Sequence, residues 1–339
     1  MKRLALLLAI AACSKNAAPP APDKPAAPQQ APAAPVAGAK GKVVTKRVAS
    51  ASLGVTKDVV VYEPAGYDAD PARRWPVYYF LHGLGGDETN WTEGGRLHEV
   101  ADKLGVQAII VMPDGDDSFY VNAVTPGNYD ECMKTGEGLF FPVQPLSTKC
   151  VKTPAYESWI TKDLVAWTDA TYRTIAAKQG RAIVGLLMGG FGALQLAMRH
   201  KDLYAAAGSH SGVDALLYKG PFPYEKGKVE LFTQVAEPDD MIVKWLVRLF
   251  GKDIANWRAH DPAHLVAELQ PGELALYLDC GTEDIFKLDN GARYLHDLLE
   301  AKNIAHTFYI GPGKHDFSFW TPRLSESLKF LAANVSAPK

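Results

Sequence analysis

The chain has 339 residues, of which 47% are apolar, 10% aromatic and 22% charged, with a formal net charge of −2. That profile is of a folded globular protein and excludes a disordered, collagen-like or coiled-coil chain. No stretch holds the roughly 20 apolar residues of a membrane-spanning helix, and near-neutral charge without a Lys/Arg block excludes the electrostatic footprint of a nucleic-acid binder.

In chain order, the N-terminus comes first and stands apart from the fold. Lys2 and Arg3 precede an apolar run over 4–12, too short to span a bilayer, and Ile10-Ala11-Ala12-Cys13 follows. A positive start, a short apolar run and small residues form a secretory signal. The last four residues resemble a bacterial lipobox, whose cysteine is lipidated and becomes the first mature residue; an ordinary signal with a chance cysteine is the alternative. Removing Lys2 and Arg3 leaves a formal charge of −4. Residues 14–40 hold ten Ala and seven Pro and cannot bury enough apolar surface to offset their chain entropy. They are expected to form an extended spacer reaching at most ~80 Å. The expected organisation is therefore a signal peptide at 1–12, a tether at 13–41 and one catalytic-looking domain at 42–339. The expected location is the cell envelope, anchored to a membrane through lipid on Cys13, at the outer membrane or cell surface. Stable anchoring needs more than one acyl chain.

From residue 42 onward, β-rich runs alternate with helical patterns. Strands are expected at 59–62, 77–81, 108–112, 182–184, 274–278 and 306–310, and helices at 97–104, 160–172, 192–199, 292–301 and 324–334. Several strands are continuously apolar, as in a parallel sheet covered on both faces. The expected architecture is α/β, with a mostly parallel central sheet and helices on both faces. Two segments break the alternation. Residues 114–158 read as a long loop in which Cys132 and Cys150 enclose 17 residues. In an exported protein that pair is a candidate disulfide, contributing about 3 kcal/mol on the chain-entropy account. Residues 212–262 carry Pro, Gly and Tyr and then an amphipathic stretch, 241–250, with Trp245. Such insertions on the carboxyl side of a sheet form substrate pockets or plain surface decoration. Cys280, after the apolar run at 274–278, is expected to be a buried free thiol.

After the expected strand at 182–184 comes Gly185-Leu186-Leu187-Met188-Gly189-Gly190-Phe191-Gly192. Strand, glycine-flanked turn and helix is the layout of a nucleophile elbow, G-x-S-x-G, whose central residue is held in a strained conformation. Here Leu187 occupies that centre.

With three further segments, this turn resembles the esterase D family of α/β-hydrolases, which includes S-formylglutathione hydrolases, feruloyl and acetyl-xylan esterases and antigen 85 mycolyltransferases. Phe80-Leu81-His82-Gly83-Leu84-Gly85-Gly86 resembles the family's oxyanion loop. Asp279-Cys280-Gly281-Thr282-Glu283-Asp284 resembles its acid segment, and Gly313-Lys314-His315-Asp316-Phe317, with Trp320, its histidine segment. The resemblance covers most of 45–335. It implies the α/β-hydrolase fold, His315 as general base and Asp284 as the acid that orients it, with Glu283 the runner-up. It also implies an oxyanion hole from the backbone N–H groups of Leu84 and Met188. His82, Trp91, Phe119, Tyr120 and Trp320 are candidate pocket residues or core aromatics. No cofactor and no metal are implied; the His260/His264 pair is the one metal candidate, and Pro262 between them argues against it.

Leucine has no ionisable hydrogen and no lone pair, so covalent acyl transfer through Leu187 is impossible. Ser209 and Ser211 are the nearby hydroxyls, neither on an elbow. The expected function is a carboxylic ester hydrolase by descent whose own catalysis is absent or severely impaired. Its ligand would be an ester or glycan-like small molecule. Two alternatives stay open: an active esterase or acyltransferase on acyl or feruloyl carbohydrates or small esters, if Leu187 is a single-codon variant of serine; or a non-catalytic lipoprotein that binds a glycan, lipid or protein. Oligomeric state is not legible.

Overall fold

A computed structural model describes residues 39–235 and 240–339. The expected signal, Cys13 and nearly all of the tether lie outside the described residues. Among the described residues there are ten strands: β1 (Lys42–Ser50), β2 (Val55–Glu63), β3 (Val77–Leu81), β4 (Ile109–Pro113), β5 (Arg181–Leu186), β6 (Ala206–His210), β7 (Tyr218–Gly220), β8 (Glu230–Leu231), β9 (Ala275–Gly281) and β10 (His306–Gly311). Eight of them make one sheet in the order β1-β2-β4-β3-β5-β6-β9-β10, while β7 and β8 form a separate ribbon. β1 and β2 pair antiparallel, as do β2 and β4; from β4 to β10 every pairing is parallel.

Strand periodicity sends alternate residues to opposite faces, and both faces are apolar. On one, Val77, Tyr79 and Leu81 of β3 and Ile109 and Val111 of β4 pack with Phe191, Leu194, Leu295 and Leu299 from the Met188–Arg199 and Leu288–Ala301 helices. On the other, Tyr78, Phe80, Ile110 and Met112 pack with Leu97 and Ala101 of the Leu97–Leu104 helix and Leu324, Leu328 and Leu331 of the Phe317–Asn334 helix. Each such side chain contributes about 1.5–3 kcal/mol through burial. This two-faced coverage is the α/β-hydrolase architecture, and it leaves the carboxyl ends of the parallel strands free to carry chemistry. Among the described residues no helix is long and apolar enough to cross a membrane.

Several boundaries differ from expectation. β1 has no counterpart in the expected set: it is an edge strand with mostly exposed, polar side chains. The helix expected at 160–172 opens as a π-helical segment, Trp159–Leu164, and is α-helical only over Val165–Thr171. The last helix starts at Phe317 rather than 324, because the Asp316 side chain caps it by accepting from the Ser318 N–H at 2.8 Å. The 114–158 segment contains the helix Tyr129–Thr135, capped by Asn128. Cys132 in that helix is joined to Cys150 with Cα atoms 5.8 Å apart, while Cys280 is buried and unbridged. The second insertion carries the Met241–Phe250 helix, whose Asp240 cap accepts from Ile242 and Val243. The two insertions meet where Trp245 Nε1 donates to the Asp117 carbonyl at 2.7 Å.

Candidate active site

The elbow is built by backbone crowding. Leu187 links β5 to the Met188–Arg199 helix with φ 50° and ψ −113°, a combination that costs a non-glycine residue of order 1–3 kcal/mol and persists only where the surroundings enforce it. They do: the Leu187 N–H donates to the His210 carbonyl at the end of β6, 3.1 Å away. A Cβ on Gly185 would lie 2.2 Å from the Gly189 backbone, and one on Gly189 2.3 Å from the Leu81 carbonyl oxygen. Only glycines let the turn fold back on itself and pack against the end of β3. The Leu187 side chain is partly buried and packs against the apolar clusters of both sheet faces.

Asp284 and His315 follow β9 and β10, two strands that pair in parallel. His315 Nδ1 lies 2.6 Å from Asp284 Oδ2, and Asp284 Oδ1 accepts from the Phe286 N–H at 2.8 Å. His315 Nε2 is buried and, among the described residues, has no hydrogen-bond partner. The imidazole is wedged between two rings edge-on at 4.9 Å, Phe286 and Trp320. Trp320 in turn donates from Nε1 to Ser211 Oγ at 3.0 Å, which ties the histidine segment to the residue after His210. The geometry separates the two candidate acids: Asp284 is buried against the imidazole, while Glu283 is exposed.

The loop after β3 rests on a buried ionic frame that sequence reasoning missed. Lys57 Nζ sits 2.6 Å from Asp114 Oδ2 and 2.8 Å from Asp116 Oδ2. Burial works against the Lys57 ammonium, but the two carboxylates hold its pKa above the ordinary lysine value. Burial also opposes ionisation of Asp114, yet the Lys57 charge keeps that carboxyl well below its ordinary value; Asp116 is pushed up by burial and by Asp114 beside it. The signal available was a lysine inside an apolar strand and the acidic run after β4. From this frame, Asp117 Oδ1 accepts from the Gly85 N–H at 2.7 Å and His82 Nε2 accepts from the Gly115 N–H at 2.9 Å. Among the described residues neither the Leu84 nor the Met188 N–H donates a hydrogen bond.

Three expected pocket residues are corrected. His82 is buried and uses both ring nitrogens on backbone, Nδ1 against the Gly83 carbonyl at 2.8 Å and Nε2 at Gly115. Trp91 is buried and donates from Nε1 to the Leu81 carbonyl at 3.0 Å, and buried Tyr120 donates its hydroxyl to the His82 carbonyl at 3.0 Å. All three brace the end of β3 and have almost no exposed surface. Phe119 is likewise buried, against Phe191. Of the aromatic candidates, Trp320 is the one that touches the imidazole.

The alternative nucleophiles are committed elsewhere. Ser209 is buried and donates to Asp214 Oδ1 at 2.6 Å, and Ser211 accepts from Trp320. Burial pushes the Cys280 thiol up, away from the reactive thiolate. His260 is buried with Nδ1 against the Asn256 carbonyl at 2.8 Å, whereas His264 is exposed on the short helix Pro262–Leu265, so the pair does not converge on a metal. His296, Asp297 and Glu300 bring ligand-type atoms within 4.8 Å of one another. Protein groups already occupy two of them: His306 Nε2 lies 2.7 Å from His296 Nδ1, and Asp297 takes the Tyr224 hydroxyl and Lys226.

Comparison with known proteins bears on the fold and the family. The sequence profile of the Esterase family matches residues 50–331. An esterase of Mycobacterium tuberculosis, Rv1288, is 31% identical over 171 residues, covering 50% of this chain and 32% of the relative, so the match spans about a third of that protein's length. The diacylglycerol acyltransferase/mycolyltransferase Ag85A of M. tuberculosis is 26% identical over 302 residues, 86% of this chain and 78% of the relative. The S-formylglutathione hydrolase of Bos taurus is 22% identical over 270 residues, 77% of this chain and 84% of the relative. Among solved structures, a ferulic acid esterase superposes with a TM-score of 0.62 at 24% identity, covering 87% of this chain and 99% of its own. An S-formylglutathione hydrolase from Agrobacterium tumefaciens gives 0.64 at 20% identity, covering 89% and 97%.

Proposed function

The chain belongs to the Esterase family, and from that premise we propose that it keeps an ester-hydrolase frame whose covalent step is disabled at Leu187. One observation carries the reading: a strained elbow and an Asp284–His315 pair with a free Nε2 coexist with a side chain that cannot attack a carbonyl. Serine at 187 would pass its proton to His315 Nε2 as Oγ bonds to the ester carbon. Asp284 would hold the Nδ1–H and stabilise the imidazolium. The N–H groups of Leu84 and Met188 would receive the oxyanion, the former in the loop that Asp117 fixes through the Gly85 N–H. With leucine there, the route left is attack by water with His315 as base, which forgoes the acyl intermediate and is slow.

The natural ligand on this reading is a carboxylic ester, carbohydrate-linked or small, and the N-terminal segment anchors the domain to a membrane of the cell envelope through Cys13. The apolar, partly buried Leu187 also favours a second reading, in which the cleft binds a glycan, lipid or protein without turnover. Hydrolysis of 4-nitrophenyl acetate by the full chain, by Leu187→Ser and by Leu187→Ser/His315→Ala tests the proposal. Leu187→Ser is expected to exceed the unmodified chain by at least about 10³-fold, and the double variant to lose that gain. An unmodified chain that is already fast, and loses that rate with His315→Ala, overturns it.

A further inference from the structure

Between the disulfide loop and the Met241–Phe250 helix lies a cavity of about 70 Å³, open to solvent, that the proposed chemistry does not use. Its walls include Phe140, Phe141 and Trp245; the Phe140 ring centre lies 4.5 Å from that of Phe141 and 5.5 Å from that of Trp245. Arg248, from the same helix as Trp245, lines it as well. Its guanidinium approaches the loop where no side chain intervenes: a Cβ on Gly138, at φ 86°, would stand 2.7 Å from an Arg248 terminal nitrogen.

That guanidinium is half-buried and, among the described residues, has no hydrogen-bond or ion-pair partner. Among the described residues Arg258 is likewise half-buried and unpaired, whereas Arg181 is matched to Asp169, Arg199 to Glu157 and Arg323 to Asp279. The acidic residues lining the cavity do not substitute. Asp116 is taken by Lys57 at 2.8 Å and Lys149 at 3.4 Å, Asp117 by the Gly85 N–H, and Glu137 is exposed. Guanidinium is the side chain best shaped for a carboxylate, which it grips with two parallel N–H donors, and aromatic walls suit a planar body.

We propose that this cavity is a binding site for a small organic carboxylate, its anionic end on Arg248 and its planar body against Phe140 and Trp245. The site adjoins the loop after β3, since a Cβ on Gly85 would meet Phe141 at 3.2 Å, but it does not depend on hydrolysis. A carboxylate held there sits beside the proposed reaction centre, not in it.

Calorimetric titration of the unmodified full chain with phenylacetate and with neutral phenylacetamide tests the site without turnover. Phenylacetate is expected to bind at least tenfold more tightly than the amide, Arg248→Gln to erase that difference and Arg248→Lys to restore part of it. Independently of any substitution, phenylacetate is expected to protect Arg248 from phenylglyoxal, read by peptide mass mapping. Equal affinity for acid and amide, no binding of phenylacetate, or unprotected Arg248 overturns the inference while leaving the esterase reading untouched. Conversely, an inactive Leu187→Ser variant that still shows Arg248-dependent binding overturns the esterase reading alone.

Discussion

Two histidine–aspartate pairs stand at the carboxyl end of the same sheet, and their hydrogen bonding is opposite. His210 ends β6 and Asp279 lies in β9; their Nδ1···Oδ1 distance is 2.9 Å and both are fully buried. Every remaining valence is used: His210 Nε2 meets Ser327 Oγ at 3.1 Å, and Asp279 Oδ2 takes the Tyr277 hydroxyl at 2.6 Å and Arg323 Nε at 3.0 Å. Asp284 and His315 sit just beyond the ends of β9 and β10, at 2.6 Å, and leave Nε2 unpartnered. The residue types are the same in both pairs. The difference lies in the one free nitrogen, which the closed network uses and the open one leaves for the proposed proton transfer.

The contrast breaks most sharply on deletion. His210→Ala leaves Asp279 buried with one partner fewer and is expected to lower unfolding stability by about 3–5 kcal/mol in urea titrations. His315→Ala is expected to cost less than half as much while abolishing ester turnover in a Leu187→Ser background. Equal stability losses would show that both pairs are structural.

Buried carboxyl groups outside both pairs sharpen the comparison through pH. Burial, with one oxygen lacking a partner and Asp279 nearby, pushes Asp214 up to about 7 from 3.8. Between those values the unfolded chain ionises while the folded one keeps its proton, so stability falls as pH rises, by up to about 4 kcal/mol. Asp214→Asn should therefore be more stable than the unmodified chain at pH 8 and not at pH 4, by chemical denaturation at both. Glu157 runs the other way. Burial opposes its ionisation, but the hydrogen bond to His200 and the Arg199 charge hold it at about 2, below 4.5. Its contribution, at most about 3 kcal/mol, is full above pH 4.5 and is lost as pH falls toward 2; Glu157→Gln should flatten that acid limb. Smaller still in its reach across the molecule, Cys132→Ser/Cys150→Ser should lower stability by about 3 kcal/mol.

What sequence could and could not reveal follows from the same physics. The inner strands were legible because both their faces are covered, which writes Val77–Leu81 as an unbroken apolar run. The elbow was legible because Gly185 and Gly189 have no steric substitute. β1 was not, since an edge strand need not be apolar on either face. Nor was the role of His82, Trp91 and Tyr120: aromatic residues beside a catalytic motif look like pocket walls until their polar atoms are seen bonded to backbone. The His210–Asp279 pair and the Lys57–Asp114–Asp116 frame join residues from 57 to 69 positions apart, a proximity that only the fold creates. Arg248 was invisible for a related reason, because a missing partner has no sequence signature.

On the proposed reading, residue 187 alone stands between this frame and covalent chemistry. Treating the full chain and Leu187→Ser with an alkyl fluorophosphonate, then locating any adduct by intact mass and peptide mapping, tests it most directly. The account predicts no adduct on the unmodified chain and a single adduct on residue 187 of Leu187→Ser that His315→Ala prevents. An adduct on the unmodified chain at Ser209 or Ser211, or an unlabelled Leu187→Ser, would contradict it.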